Sequence, residues 1–409
     1  MKKILSFILA FALIISLSAV YAEEVTLTMG SWRIDDTDRI QAVLDKYTEV
    51  SGVKIKFEGT ASSQYNANIR LQLDNGTGPD LWYSRSYKTG QELYDAGYAM
   101  DVTDIPGVKE NFPESALGAW RADDGKVFAV PFGAVSHVVY YNTRIFDEQG
   151  LAVPRTYEEF MTVCQELKDA GITPLANGIK SKWDVLECVF LGMLPNYIGG
   201  PEGREPYEKL EKKMNDDAFK AALTDFQKMA QYLPEGFESI ENNDSNAFFA
   251  TEQAAMLIDG SWSAGALGEQ FGLKTYSAFA IPAPEGKEPG MCFHPDFGLA
   301  GNKATKHPEE VKAFLEWMAS PEGVQIASDG LPSGFYPMIN ADIKLADELA
   351  DHILKLNEGK HTDVRFVWPK LMEAYTPMQD NLISLWLGEA TVDQVADAFA
   401  EAQAAVLAK

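Results

Sequence analysis

Two periodicities alternate along the N-terminal part of the chain, and that alternation restricts it to the α/β class more than any other feature. Residues 25–29 form a strand-like apolar run, and residues 31–36 form a polar break carrying Trp32. Ile40, Val43, Leu44, Tyr47 and Val50 then recur at the spacing of a helix's buried face, and Gly52 stops them. Val53, Ile55 and Phe57 alternate with Lys54, Lys56 and Glu58, as a half-buried strand requires. A second helical stretch over residues 62–75 ends in Asn75-Gly76, and residues 80–83 read as the next strand. Strands and helices in this order build an α/β layer structure. The pattern continues with strand-like residues 127–130 and 137–141, and with a capping box in which Thr156 and Glu159 open a helix through Phe160, Val163, Cys164 and Leu167. Long amphipathic helices follow over residues 216–232, 308–319 and 392–407, the second with Val311, Phe314, Leu315 and Met318 on one face. There is no internal repeat and no low-complexity linker to mark a domain boundary.

Lys2 and Lys3 precede an apolar run over residues 4–20, and Val20-Tyr21-Ala22 offers small residues for cleavage, so residues 1–22 are expected to be a secretory signal. The serines at positions 6, 16 and 18 argue against a permanent anchor. Removing that segment from the 409 residues leaves 387, too many for one ordinary core and comfortable for two lobes. The formal charge of −25 becomes −27 without Lys2 and Lys3. A charge of that size favours solubility and opposes nucleic acid and anionic lipid. The rest of the chain has no comparable apolar run, so a freely soluble periplasmic or extracellular product is expected. Three cysteines, Cys164, Cys188 and Cys292, permit one disulfide at most and so supply no disulfide framework; Cys164 falls in an apolar helical pattern and is expected in the core.

Five segments, in order across nearly the whole mature chain, resemble the carbohydrate-binding proteins of ABC importers, the extracellular solute-binding proteins similar to maltose-binding protein. They are the first strand with Trp32-Arg33, LQLDNGTGPDLWY at residues 71–83, the stretch of residues 125–160 that contains AVPFGAVSHVVYYN, FFATEQAAMLIDGSW at 248–262, and KHPEEVKAFLEWMASPEG at 306–323. The resemblance implies a two-lobed periplasmic-binding-protein-like α/β fold, each lobe a sheet flanked by helices, joined by hinge crossovers around a sugar-filled cleft. By matching segments, residues 23–133 and 282–334 would form the N-terminal lobe and residues 134–281 and 335–409 the C-terminal lobe. Crossovers would fall near residues 134–136, 276–281 and 335–337. The resemblance also implies a monomer that partners a sugar and the membrane subunits of an ABC transporter, with no cofactor.

A sugar presents flat C–H faces and a rim of hydroxyls, so its receptor needs aromatic platforms together with carboxylates, amides or arginines. Micromolar binding requires about 8 kcal/mol, whereas one aromatic contact contributes roughly 0.5–1.5 kcal/mol. Stacking alone is therefore insufficient, and aromatics beside charges on loops at strand ends are the candidates. Trp262 leads: it follows Asp259-Gly260, sits between Ser261 and Ser263 in turn-like sequence, and matches the family's stacking tryptophan. Its competing role is core packing. Trp32 and Arg33 follow the first strand with Asp35 and Asp36 behind them, and for one of those aspartates the competing role is capping the next helix. Ser84 and Arg85 follow Tyr83 where the family places a polar contact; a surface ion pair is the alternative for Arg85. Asp80 reads as a structural turn residue. Trp183, after the polar Lys180-Ser181-Lys182, is a further candidate, as are Asp296 beside Phe297, Trp368 and Tyr375. Trp120, Trp317 and Trp386 fall in helical patterns and are expected to pack internally. Val135 stands where the maltose-binding pattern has an acidic contact, with His137 nearby, which argues against maltose as the ligand.

A secreted carbohydrate hydrolase is the main rival. Residues 261–265, SWSAG, lack the first glycine of a nucleophile elbow. The five histidines form neither HExxH nor a His-x-x-x-His pair, so no metal site is predicted. Paired carboxylates remain compatible with glycoside cleavage, because 60 acidic residues allow many pairs. A binding protein for another solute, such as a polyamine, is the third class, although mixed-sign charges beside the aromatics favour a neutral polyol.

Overall fold

A computed structural model describes residues 25–34, 36–331, 334–364, 368 and 370–408. The expected signal segment and Asp35 lie outside the described residues. β1 (Thr26–Ser31) lies between β2 (Lys54–Gly59) and β3 (Leu81–Arg85), parallel to both. The helix Thr37–Ser51 that connects β1 to β2 buries Ile40, Val43, Leu44 and Tyr47. Val50 is exposed instead, because it lies in the final turn beyond Tyr47, the last residue of that stripe to reach the core. In β2, Ile55 and Phe57 point inward and Lys54, Lys56 and Glu58 outward. Asp80 is structural: its carboxylate accepts hydrogen bonds from the Thr28 amide at 2.9 Å and the Thr305 hydroxyl at 2.6 Å.

The strand-like run at residues 137–141 belongs to a longer strand, β4 (Val130–Asn142), buried along almost its whole length, whereas of the run at 127–130 only Val130 enters it and Val127 makes an isolated bridge to Arg121. β5 (Thr173–Leu175), β6 (Ala254–Gly260), β7 (Tyr276–Phe279), β8 (Gly290–Gly301) and β9 (His361–Asp363) complete a mixed sheet with spatial order β2-β1-β3-β8-β4-β6-β5. β7 pairs with β4 and β9 with β8. β4 changes partners along its length: Val130 to Ser136 run antiparallel to β8, whereas His137 to Tyr141 run antiparallel to β6. β8 does likewise, pairing with β3 through Phe297 to Gly301 and with β9 through Gly290 to Cys292.

The hydrophobic core divides accordingly. One cluster joins β1–β3 with the ends of β4 and β8 and includes Trp82, Trp120, Phe314 and Phe335. A second is built on residues 139–399 around Phe190, Phe219, Phe226 and Trp386, and a third packs β4, β6 and β7 against Tyr336 and Ile353. Cys164 is buried in the second cluster, and Trp120 and Trp386 are buried as their helical spacing predicts. Trp317 is only partly buried, against the first cluster. The Thr156 hydroxyl accepts from the Glu159 amide at 3.2 Å, but Glu159 returns its bond to the amide of Arg155, so the capping box is one residue longer than the sequence suggests. All three cysteines are buried, and none is joined in a disulfide. No helix among the described residues is long and apolar enough to cross a membrane.

Candidate functional site

β6 ends at Gly260, and the turn that follows delivers Trp262 to the N-terminus of the helix Ser263–Glu269. Asp259 fixes this turn. Its buried carboxylate accepts from the Ser263 hydroxyl and the Gly260 amide at 2.8 Å and from the Asn246 amide at 2.9 Å. Burial raises the Asp259 pKa, with these bonds acting against the rise. The Trp262 ring lies directly over Gly260, where an added Cβ would approach it to 2.2 Å. The ring is half-buried, 5.6 Å from the His137 ring edge-on and 5.9 Å from Trp183. Trp183 is half-buried too, as its polar lead-in predicts. Next to it Asp184 caps a π-helical stretch, Val185–Phe190, and burial together with the charge of Asp259 pushes its pKa up to about 7. Such π-helical segments concentrate at functional sites.

The other wall starts from β1 and β3. Arg85 lays its guanidinium over the Trp32 ring at 3.6 Å and reaches Asn66 at 3.4 Å and Ser62 at 3.3 Å. The guanidinium thus makes a cation–π contact with the indole. Arg33 pairs with Asp36 and places its guanidinium 4.7 Å from the Phe335 ring. Asp36 stands at the N-cap position of the helix Thr37–Ser51 without a side-chain capping bond, because its carboxylate faces Arg33.

Ser136, Ser261 and residues 334–335 link the two walls. Ser261 donates its hydroxyl to the Gly334 carbonyl and accepts from the Ser136 amide at 2.9 Å. Gly334, at φ +97, approaches so closely that a Cβ there would lie 1.7 Å from the Ser261 carbonyl oxygen. One residue on, Phe335 lies under Arg33. Trp262, from the β6 side, packs against the core cluster that holds Trp32 and Phe335. Trp262 and Trp183 thus adjoin one another on the β6 side, while Arg33 and Arg85 lie against Phe335 and Trp32, whose rings both meet Phe297, on the other.

Other candidates sit differently. Trp32 is buried edge-on to Tyr65, Tyr83 and Phe297, and Arg85 covers its face, so in this conformation it supports the arginine instead of offering an open platform. Ser84 is buried and donates to the Arg85 carbonyl at 3.2 Å. Trp368 is 1% exposed in the second core cluster, with Arg204 5.8 Å from its ring. Asp296 is buried in β8, and Phe297 is core, stacked on Tyr83 at 4.7 Å. Tyr375 is half-buried and donates to Glu187 of the π-helical stretch. The sequence reading missed a grouping of His137 on β4 with Cys292 and His294 on β8, whose ligand atoms all lie within 4.8 Å of one another. Cys292-Phe293-His294 puts two donors on one strand face, but the strand register that adds His137 is invisible in sequence.

Residues 33–325 match the family model described as bacterial extracellular solute-binding protein. A multiple sugar-binding protein of Streptococcus mutans is 26% identical over 58% of this chain and 57% of its own length. A maltodextrin-binding protein of Bacillus subtilis is 23% identical over 69% of this chain and 66% of its own. The chain thus spans less than two thirds of the length of these relatives. A solved structure from work on xylan utilization by Caldanaerobius polysaccharolyticus superposes with a TM-score of 0.81 over 92% of this chain and 99% of that one, at 19% identity, which speaks for the fold. With the matching model covering most of its length, the two-walled chain belongs to the bacterial extracellular solute-binding proteins.

Proposed function

We propose that this protein captures a soluble sugar, an oligosaccharide, in the cleft between two lobes and hands it to the membrane subunits of an ABC importer, without catalysing a reaction and without a cofactor. The observation that carries this reading is the pair of half-buried tryptophans, Trp262 and Trp183, set ring to ring at 5.9 Å after the β6 turn, with arginines 33 and 85 held over aromatic rings at the ends of β1 and β3. Aromatic faces suit the C–H faces of a pyranose, and guanidinium and carboxylate groups suit its hydroxyl rim. The names of the relatives, multiple sugar-binding and maltodextrin-binding, point the same way. Val135 remains apolar and buried, which weighs against maltose. The lobes in this reading are residues 23–133 with 282–334, and 134–281 with 335–409. They rock about the crossovers near residues 134–136, 276–281 and 335–337, where Ala134 bridges Tyr336. The working form is a monomer exported by a signal cleaved after Ala22.

A thermal-shift screen of the mature chain against sugars, amino acids and polyamines tests the proposal, since a ligand that binds only the folded state raises Tm. A rise with one or more sugars is expected. A rise with spermidine and none with any sugar overturns it, and release of reducing ends from oligosaccharides would move the protein to the hydrolases.

A further inference from the structure

β4 and β8 stop pairing with each other at Ser136 and Phe293; beyond that point His137 pairs with Gly260 of β6 and Cys292 with Asp363 of β9. One further step of the β4–β8 register would set His137 opposite Cys292. Side chains directly opposite in an antiparallel pair share a face, and so do positions two apart on one strand. His137, Cys292 and His294 consequently converge on one side of the sheet, all three fully buried, with their ligand atoms within 4.8 Å of one another.

We infer that these three residues form a site for a zinc-type divalent transition-metal ion at the place where the two long strands part. Two imidazoles and a thiolate are a donor set that zinc accepts, at bond lengths of about 2.0–2.1 Å to nitrogen and 2.3 Å to sulfur. Those lengths imply donor separations of roughly 3.5 Å, a closure of about an ångström that side-chain torsions can supply. A second observation supports the assignment. The Nδ1 of His294 lies 2.9 Å from the Pro295 carbonyl oxygen, the orientation in which Nδ1–H donates and Nε2 keeps its lone pair for a metal. Metal-binding histidines are ordinarily oriented in this way by a carbonyl or carboxylate on the other nitrogen. Three protein donors leave a fourth tetrahedral position for water. The ion would fasten β4 to β8 just where their backbone ladder ends, beside the ring of Trp262. This inference stands independently of what the cleft binds.

The test is a cobalt titration of the reduced, metal-free mature chain, followed by absorbance and by isothermal titration with zinc. One equivalent of Co²⁺ giving a thiolate-to-cobalt charge-transfer band is expected. Cys292→Ser should abolish the band, and His137→Gln or His294→Gln should weaken cobalt binding at least roughly tenfold, the lower end of what even indirect partners of a metal cost when lost. Far-UV circular dichroism checks that each variant is folded. Absence of the band in the unsubstituted protein overturns the inference, as does a band that survives in folded Cys292→Ser and so arises from Cys164 or Cys188. Should Cys292→Ser not fold, unchanged cobalt affinity in both histidine variants overturns it equally.

Discussion

Replacing Trp262 by alanine separates a ligand platform from a packing residue. The indole is half-buried, so part of its surface is available to a ligand, while its edge contacts with His137 and Trp183 hold it in one orientation. A sugar face against it contributes about 0.5–1.5 kcal/mol beyond burial, and covering a further ~60–80 Å² of ring at about 25 cal/mol per Å² adds roughly 1.5–2 kcal/mol. Together these predict that Trp262→Ala weakens the sugar found by thermal shift about 30- to 300-fold in Kd, at 1.4 kcal/mol per tenfold. Isothermal titration measures this, with Trp262→Phe retaining all but about tenfold because a smaller aromatic face remains. Trp386→Phe is the control. That ring stacks on Phe226 at 4.4 Å inside the second core cluster, so the substitution should lower Tm and leave Kd alone. A folded Trp262→Ala variant with an unchanged Kd would refute the placement of the platform.

Asp184 makes stability depend on pH in an unusual direction. Its folded pKa is raised from 3.8 to about 7, so between those values the folded state holds a proton that the unfolded state has released, and stability falls as pH rises from about 4 to about 7. Asp184→Asn keeps an oxygen for the Val185 amide and should flatten the fall in urea midpoint between pH 5 and pH 8; an unchanged slope contradicts the assignment. Gly334→Ala should destabilise by roughly 1–3 kcal/mol or more, through positive φ and the collision with Ser261, read as a lower Tm. Arg39 of the helix Thr37–Ser51 and Glu269 of the helix Ser263–Glu269 pair across the two walls with both side chains well exposed. Glu269→Gln should therefore change unfolding free energy by less than about 1 kcal/mol, and a larger loss in denaturant titrations would show a closure latch instead of a surface pair.

Where one physical rule acts alone, the sequence determines the outcome. The stripe Ile40, Val43, Leu44, Tyr47 and the stripe Val311, Phe314, Leu315, Met318 are helical faces in the structure because a period of 3.6 leaves no other way to bury those residues together. That Trp183 and Trp262 escape full burial was legible because polar neighbours and a turn surround them. Trp32 and Arg85 show where such reasoning stops. Each was readable as a contact residue in its own segment, but that one covers the other follows from β1 and β3 lying side by side, a pairing between residues far apart in sequence. Asp36 shows the same limit at shorter range: the residue reached the N-cap position, and a nearby arginine took its carboxylate. The cluster of His137, Cys292 and His294 lies furthest from what sequence can reveal, since no local spacing links residue 137 to residues 292 and 294. It exists because β4 and β8 run antiparallel past one another and part at that point, so the geometry that lets two strands serve two walls is also what gathers three metal-type donors between them.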